Sequence, residues 1–196
     1  SQPAAATVAL LGCRADASEN QPLSGVARLP PVVFESGRAV AEAVRPHEDA
    51  QVQPNGVDLT LDAVFEPVEP GRIDTDSKRV GERRRIDPDG DSEGELLYWL
   101  DPGSYVVRYN EVISVPDDHV GFVLPRSTLL RNGSTLHTAV WDAGYEGRGE
   151  GLLRVSHPIE IRPDARIGQF LLAAADHEES YTGDYHGENL SSFETE

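Results

Sequence analysis

Lysine is almost absent from this chain. Of 17 basic residues only Lys78 is a lysine, leaving sixteen arginines against 34 acidic residues and a formal charge of -17 over 196 residues. Such acidity excludes generic nucleic-acid binding, because no basic face remains to cover many phosphates. A small anionic ligand would need a local arginine cluster instead. Cysteine is limited to Cys13. A disulfide framework and a cysteine-built zinc site are therefore excluded, and with them the zinc-dependent nucleobase deaminases. No apolar run approaches the ~20 residues of a membrane span. No basic segment precedes the short apolar run near Cys13, so no secretory signal is expected and a cytoplasmic, membrane-free protein is. Many carboxylates with almost no lysine suit life in high salt, where screening shrinks to a few ångströms and self-repulsion is tolerated. An ordinary acidic protein from a GC-rich genome is the alternative.

The length allows one domain with a real core plus tails. Residues 1–33 are small, polar and proline-bearing, and read as a flexible N-terminal extension. FESGRAVAEAV, residues 34–44, reads as a short helix capped by Ser36. After the Pro54-Asn55-Gly56 turn, Val57, Leu59 and Leu61 alternate with Asp58, Thr60 and Asp62, the period of a strand. Residues 69–95 are almost wholly polar and read as an exposed loop or β-arm. Within them Arg83, Arg84 and Arg85 lie among acidic neighbours and read as a solvated, salt-bridged surface rather than a phosphate site. Strand signals then recur every eight to twelve residues as LLYWL, SYVVRY, EVISV, VGFVL, TLHTAVW, GLLRVS, IEIR and IGQFLLAAA. That spacing predicts an all-β sandwich or barrel over residues 34–176. Residues 177–196 read as a mobile tail able to close over a ligand.

Chemistry concentrates between Leu124 and Gly151. This stretch holds Arg126 and Arg131, the hydroxyls of Ser127 and Thr128, an isolated carboxylate at Asp142 and the ring of Tyr145. Arginines with hydroxyls suit a polyphosphate. A carboxylate downstream suits general-base activation of water.

Five ordered motifs give the chain a family resemblance. Pro54–Leu59 contains Asp58. Pro125-Arg126-Ser127-Thr128 is followed by Arg131. Thr138–Gly147 contains Trp141, Asp142, Tyr145 and Gly147. Ala165–Gln169 ends on Gln169, and Gly183–His186 contains Tyr185. Together they resemble the trimeric dUTPase and dCTP deaminase superfamily, most closely the haloarchaeal dUTPases. The resemblance implies a distorted jelly-roll β-barrel with one short N-terminal helix, assembling as a homotrimer with shared active sites. It implies hydrolysis of dUTP to dUMP and pyrophosphate, which keeps uracil out of DNA and supplies dUMP. Mg2+ would arrive on the triphosphate, held through phosphates and water rather than by protein ligands.

The resemblance also assigns roles. Asp142 is implied as the residue that orients and deprotonates the attacking water; otherwise it is a turn aspartate. Tyr145 is implied to stack on the deoxyribose and exclude a 2′-hydroxyl, or else is a core tyrosine. Arg126, Ser127, Thr128 and Arg131 are implied phosphate contacts, with pairing to Asp58 open for Arg126 and a surface salt bridge open for Arg131. The backbone of Leu136, His137, Thr138 and Val140 is implied to read the uracil edge, where an unmatched buried polar group is costly. Gln169 is an implied nucleotide contact or an exposed strand amide. Tyr185 and His186 are implied to reach the triphosphate, although His186 stands where relatives often carry glutamine.

One departure selects the branch. Deaminases of the superfamily place an essential glutamate eight residues after the first glycine of their G-[aromatic]-x-G motif. Counting from Gly144 lands on Leu152, which cannot move a proton. Glu150 sits two residues earlier on the same strand face, and only a bulge would bring it into place. The expectation is therefore a diphosphatase. A dCTP deaminase or bifunctional enzyme is the alternative, and a non-catalytic nucleotide-binding module the more distant one.

Overall fold

The alternating run that begins after the Pro-Asn-Gly turn becomes the longest strand of the protein. A computed structural model describes residues 32–177 and 181–190. Expectations for residues 1–31, 178–180 and 191–196 lie outside the described residues. The elements are α1 (Gly37–Ala41), β1 (Val44–Arg45), β2 (Val52–Gln53), β3 (Gly56–Pro67), β4 (Arg72–Ile73), β5 (Lys78–Arg79), β6 (Arg83–Ile86), β7 (Asp89–Gly90), β8 (Leu96–Leu100) and β9 (Gly103–Tyr109). They continue as β10 (Val112–Ser114), β11 (His119–Pro125), α2 (Ser127–Arg131), β12 (Ser134–His137), β13 (Glu146–Gly147), β14 (Glu150–Val155), β15 (Ile159–Ile161) and β16 (Arg166–Ala174). No helix among them is long and apolar enough to cross a membrane.

The principal sheet runs in the order β11-β16-β3-β9-β14-β12, with β2 and β6 also paired to β3. Its two ends approach each other: the Thr138 hydroxyl, just past β12, donates to the Val123 carbonyl of β11 at 3.3 Å. The sheet thus nearly closes into the expected barrel, which removes exposed edges. Smaller antiparallel sheets, β1-β10-β13 and β15-β8-β7, complete the wall. Inside lie Leu59, Leu61, Val107, Tyr109, Ile113, Leu153 and Phe170, all fully buried. Ser36 caps α1 as expected, accepting from the Ala39 amide at 3.4 Å.

Four expectations change. The helix read over residues 34–44 is confined to Gly37–Ala41, with Phe34 bridged to Ala173 and Val44 in β1. A second helix, α2, follows Pro125; five residues are too few to show a helical period, and the turn is closed by Gly133 at φ +72°. The predicted strand TLHTAVW ends at His137, leaving Thr138–Val140 outside the ladder before Trp141 forms an isolated bridge to Gly121. The polar segment 69–95 is not wholly an arm, since β6 returns to the barrel and pairs with β3.

Candidate active site

The loop between β12 and β13 is pinned by aromatic packing. Trp141 exchanges two backbone hydrogen bonds with Gly121, at 2.8 and 3.1 Å. Its ring meets Tyr145 edge-on at 5.0 Å between centroids, Phe170 at 6.1 Å and Tyr109 at 6.3 Å. Such pairs contribute about 0.5–1.5 kcal/mol each beyond area burial. A Cβ on Gly149 would lie 1.9 Å from the indole, so glycine is what lets the chain pass beneath this ring. The Tyr145 amide closes a turn onto the Asp142 carbonyl at 3.1 Å, and the Tyr145 carbonyl accepts from Val115 at 2.8 Å. Trp141, Ala143 and Tyr145 are buried, while Asp142 between them is exposed. The fold therefore presents one carboxylate on a rigid loop.

Asp142 faces a cleft of about 640 Å³, lined among others by His137, Thr138, Val140, Tyr145, Glu150, Leu152 and Tyr185. Of the sequence-predicted residues, the structure gathers Asp142, Tyr145, Tyr185 and the segment 137–140 in one place. Leu136 is buried in the core at 3 % exposure, paired with Leu153, and does not line the cleft. Trp141 is structural. Gly147 is structural too: a Cβ there would meet the Tyr145 hydroxyl at 2.7 Å.

Arg126, Ser127, Thr128, Arg131, Gln169 and His186 do not line this cleft. Arg126 sits at the start of α2 with its Nε 3.3 Å from Asp58, and Arg166 reaches the same carboxylate oxygen at 3.4 Å. The structural pairing left open for Arg126 is thus present. Asp58 is 1 % exposed; burial pushes its pKa up, and the two arginines pull it back. The Arg126 side chain keeps 30 % exposure, so the pair does not bury its fork. Arg131 donates to the Ser127 hydroxyl at 3.3 Å on the exposed face of α2. Gln169 lies on β16 opposite Asp58.

The pairing of β14 decides the position of Glu150. Its ladder with β9 runs without a shift from Glu150↔Arg108 to Val155↔Gly103. No bulge moves Glu150 into the place of Leu152, which is 40 % exposed and paired with His137. Glu150 is instead gripped by Arg83 through both guanidinium nitrogens, the longer contact at 3.4 Å. This corrects the reading of the arginine triplet. Arg84 does form an exposed pair with Glu66, but Arg83 is half-buried and lines the cleft. The available signal was strand alternation, which turns Arg83 and Arg84 to opposite faces.

The tail supplies residues that the sequence reading missed. Tyr181 donates its amide to Ala143 at 2.7 Å, and Gly187 to Glu146 at 2.7 Å. Asp184 pairs with Lys78 at 2.7 Å, whose ammonium also lies 5.2 Å from the Tyr185 ring. Tyr181, Glu188 and Asn189 all line the cleft. No local sequence pattern pairs them with residues 40 or 100 positions away. Among the described residues, no three or more His, Cys, Asp or Glu side chains come together to hold a metal ion.

In fold class the protein is a nearly closed antiparallel β-barrel whose cleft holds the exposed Asp142 beside the buried Tyr145. The chain belongs to the dCTP deaminase-like family, whose model matches residues 34–175. It is 52% identical over 157 residues to a Halobacterium salinarum protein named "Probable deoxyuridine 5'-triphosphate nucleotidohydrolase", covering 80% of this chain and 95% of that one. An Aeropyrum pernix protein of the same name is 40% identical over 168 residues, covering 81% of this chain and 100% of its own. Among solved structures, the 2'-deoxycytidine 5'-triphosphate deaminase of Agrobacterium tumefaciens is similar in fold, with TM-score 0.53 and 20% identity. That match covers 74% of this chain and about half, 49%, of the other.

Proposed function

We propose that the protein is a dUTP diphosphatase, hydrolysing dUTP to dUMP and pyrophosphate. The observation that carries this reading is the cleft itself, which holds Asp142 and Tyr145 but presents Leu152 where a deaminase needs an acid. Asp142 takes a proton from water while the water oxygen bonds to the α-phosphorus. The bond from that phosphorus to the bridging oxygen breaks, and pyrophosphate leaves. A lone carboxylate is enough, because the water needs placement and a proton acceptor rather than a covalent intermediate. Tyr145 packs on the deoxyribose, and the backbone of Thr138–Val140, free of the ladder, reads the uracil edge. Mg2+ belongs to the substrate as its triphosphate complex.

Arg126, Ser127, Thr128, Arg131 and Gln169 take the phosphates, with the charged forks neutralising the transferring group. Because they lie outside the cleft of their own chain, their part of the site is completed by Asp142 of a neighbouring copy, in a homotrimer with shared sites. Tyr185 closes the cleft. The two relatives named above support the substrate. The acid-rich, lysine-poor surface supports activity in molar salt.

Product analysis by ion-exchange chromatography tests the reading. The protein is incubated separately with dUTP and dCTP in Mg2+ and high salt. The expected result is dUMP from dUTP with dCTP untouched. Uracil nucleotides from dCTP would instead establish deamination, with Glu150 as the acid to mutate. Binding without turnover would establish a nucleotide sensor.

A further inference from the structure

Glu188 reaches from the tail into the cleft and accepts a hydrogen bond from the Tyr145 hydroxyl at 2.7 Å. The segment that carries it is laid along residues 146–148. Gly187 donates to the Glu146 carbonyl at 2.7 Å, Arg148 to the Glu188 carbonyl at 3.0 Å, and the Asn189 amide group to the Arg148 carbonyl at 2.8 Å. The space for the pair exists because residue 147 has no side chain: a Cβ there would lie 2.7 Å from the Tyr145 hydroxyl and 3.1 Å from Glu188 Cγ. The rest of the Tyr145 ring is held by Trp141 at 5.0 Å and Tyr181 at 6.0 Å. Burial drives the phenol's pKa well up, so the hydroxyl remains a donor.

We propose that Glu188 is a positioning residue that fixes the ring of Tyr145, and that this hydrogen bond sets how strictly the cleft prefers deoxyribose to ribose nucleotides. The inference rests on the diphosphatase reading and on Tyr145 as the sugar's neighbour. Steric rejection of one extra hydroxyl requires a wall that does not yield. A ring free to shift by about an ångström would make room for the oxygen, and small misplacements of this kind have large kinetic effects. Packing holds the ring's inner edge, and the hydrogen bond to Glu188 ties down its outer tip.

The test compares kcat/KM and calorimetric binding for dUTP and UTP in wild type, Glu188→Ala, Glu188→Gln, Tyr145→Phe and the Tyr145→Phe/Glu188→Ala double variant. Glu188→Ala should lower the dUTP-to-UTP preference about tenfold, the scale of a hydrogen bond to a charged acceptor. Glu188→Gln, whose amide oxygen still accepts, should restore most of it. Tyr145→Phe should reproduce the loss, and the double variant should be no worse, because both changes delete one interaction. An unchanged preference in Tyr145→Phe or in a folded Glu188→Ala overturns the inference, as does a double variant that loses the product of the single effects. Wild type that prefers to bind dUTP but releases no dUMP defeats the diphosphatase reading alone, and the binding ratios still score Glu188. Wild type that binds neither nucleotide defeats both.

Discussion

Replacing Asp142 with asparagine removes the proton acceptor and leaves the architecture in place. The side chain is exposed on its loop, and the packing that holds the loop belongs to Trp141, Ala143 and Tyr145. Asparagine is nearly isosteric, so the change in folding free energy should stay within about 0.5 kcal/mol. The chemistry should not be spared. A positioned general base contributes about 10²–10⁴ in rate, which corresponds to about 3–5 kcal/mol of transition-state stabilisation. The loss should fall on kcat, because the carboxylate acts on water and removing its charge relieves repulsion with the triphosphate. The assay is steady-state pyrophosphate release from dUTP with Mg2+ and salt held constant, beside calorimetric binding of a non-hydrolysable dUTP analogue. The expected variant melts like the wild type, binds the analogue at least as well, and turns over at least a hundredfold more slowly. A kcat within threefold of wild type would refute Asp142 as the base. A kcat loss matched by a fall in melting temperature would refute the claim that the loop is independent of this side chain.

Other outcomes follow from the same structure. Equal mixing of the inactive variants Asp142→Asn and Arg126→Ala, with exchange of subunits, should restore about a quarter of wild-type activity, since a site shared between copies is intact when each half comes from an unmutated chain; no recovery argues for sites within one chain. Gly149→Ala places a Cβ 1.9 Å from the Trp141 ring and should cost about 3 kcal/mol or more in urea unfolding, so a wild-type midpoint would contradict the packing. Glu111 is 2 % exposed, and burial raises its pKa above the ordinary 4.5 despite hydrogen bonds from Thr60 and Gln51. The penalty for charging it is therefore present above the raised value and disappears as pH falls through it toward 4.5. Mild acidification should raise the melting temperature less in Glu111→Gln than in wild type, and identical pH slopes would remove Glu111 as the cause. With a charge of -17 and one lysine, melting should rise sharply between dilute buffer and molar KCl; equal melting points would reduce the charge to composition.

Strand alternation in Val57–Leu61 and the regular spacing of later strands made the barrel legible, because a half-buried strand writes its period into its own residues. The helix α2 and the end of β12 at His137 were not legible, since five helical residues span little more than one turn and four strand residues only two alternations, too short to stand out from their flanks. Arg83 was misread because its environment depends on which face of β6 is turned toward Glu150, and acidic neighbours in sequence are not neighbours in space. For Arg126 the sequence left two roles open, and the structure supplied the Asp58 contact without burying the fork.

Motif chemistry is a property of the chain itself. The five ordered motifs, with Asp142 and Tyr145 among them, and the leucine at 152 are covalent facts, and they pointed to the family and set the expected branch without any tertiary information. Whether Glu150 could slip into the place of Leu152 was a question of register, which cross-strand hydrogen bonds decide and the unbroken ladder with β9 answered. The convergence of Arg83, Glu150 and Glu188 on one cleft was likewise decided only in three dimensions, because contacts between residues tens of positions apart follow from how sheets close and leave no local pattern to read.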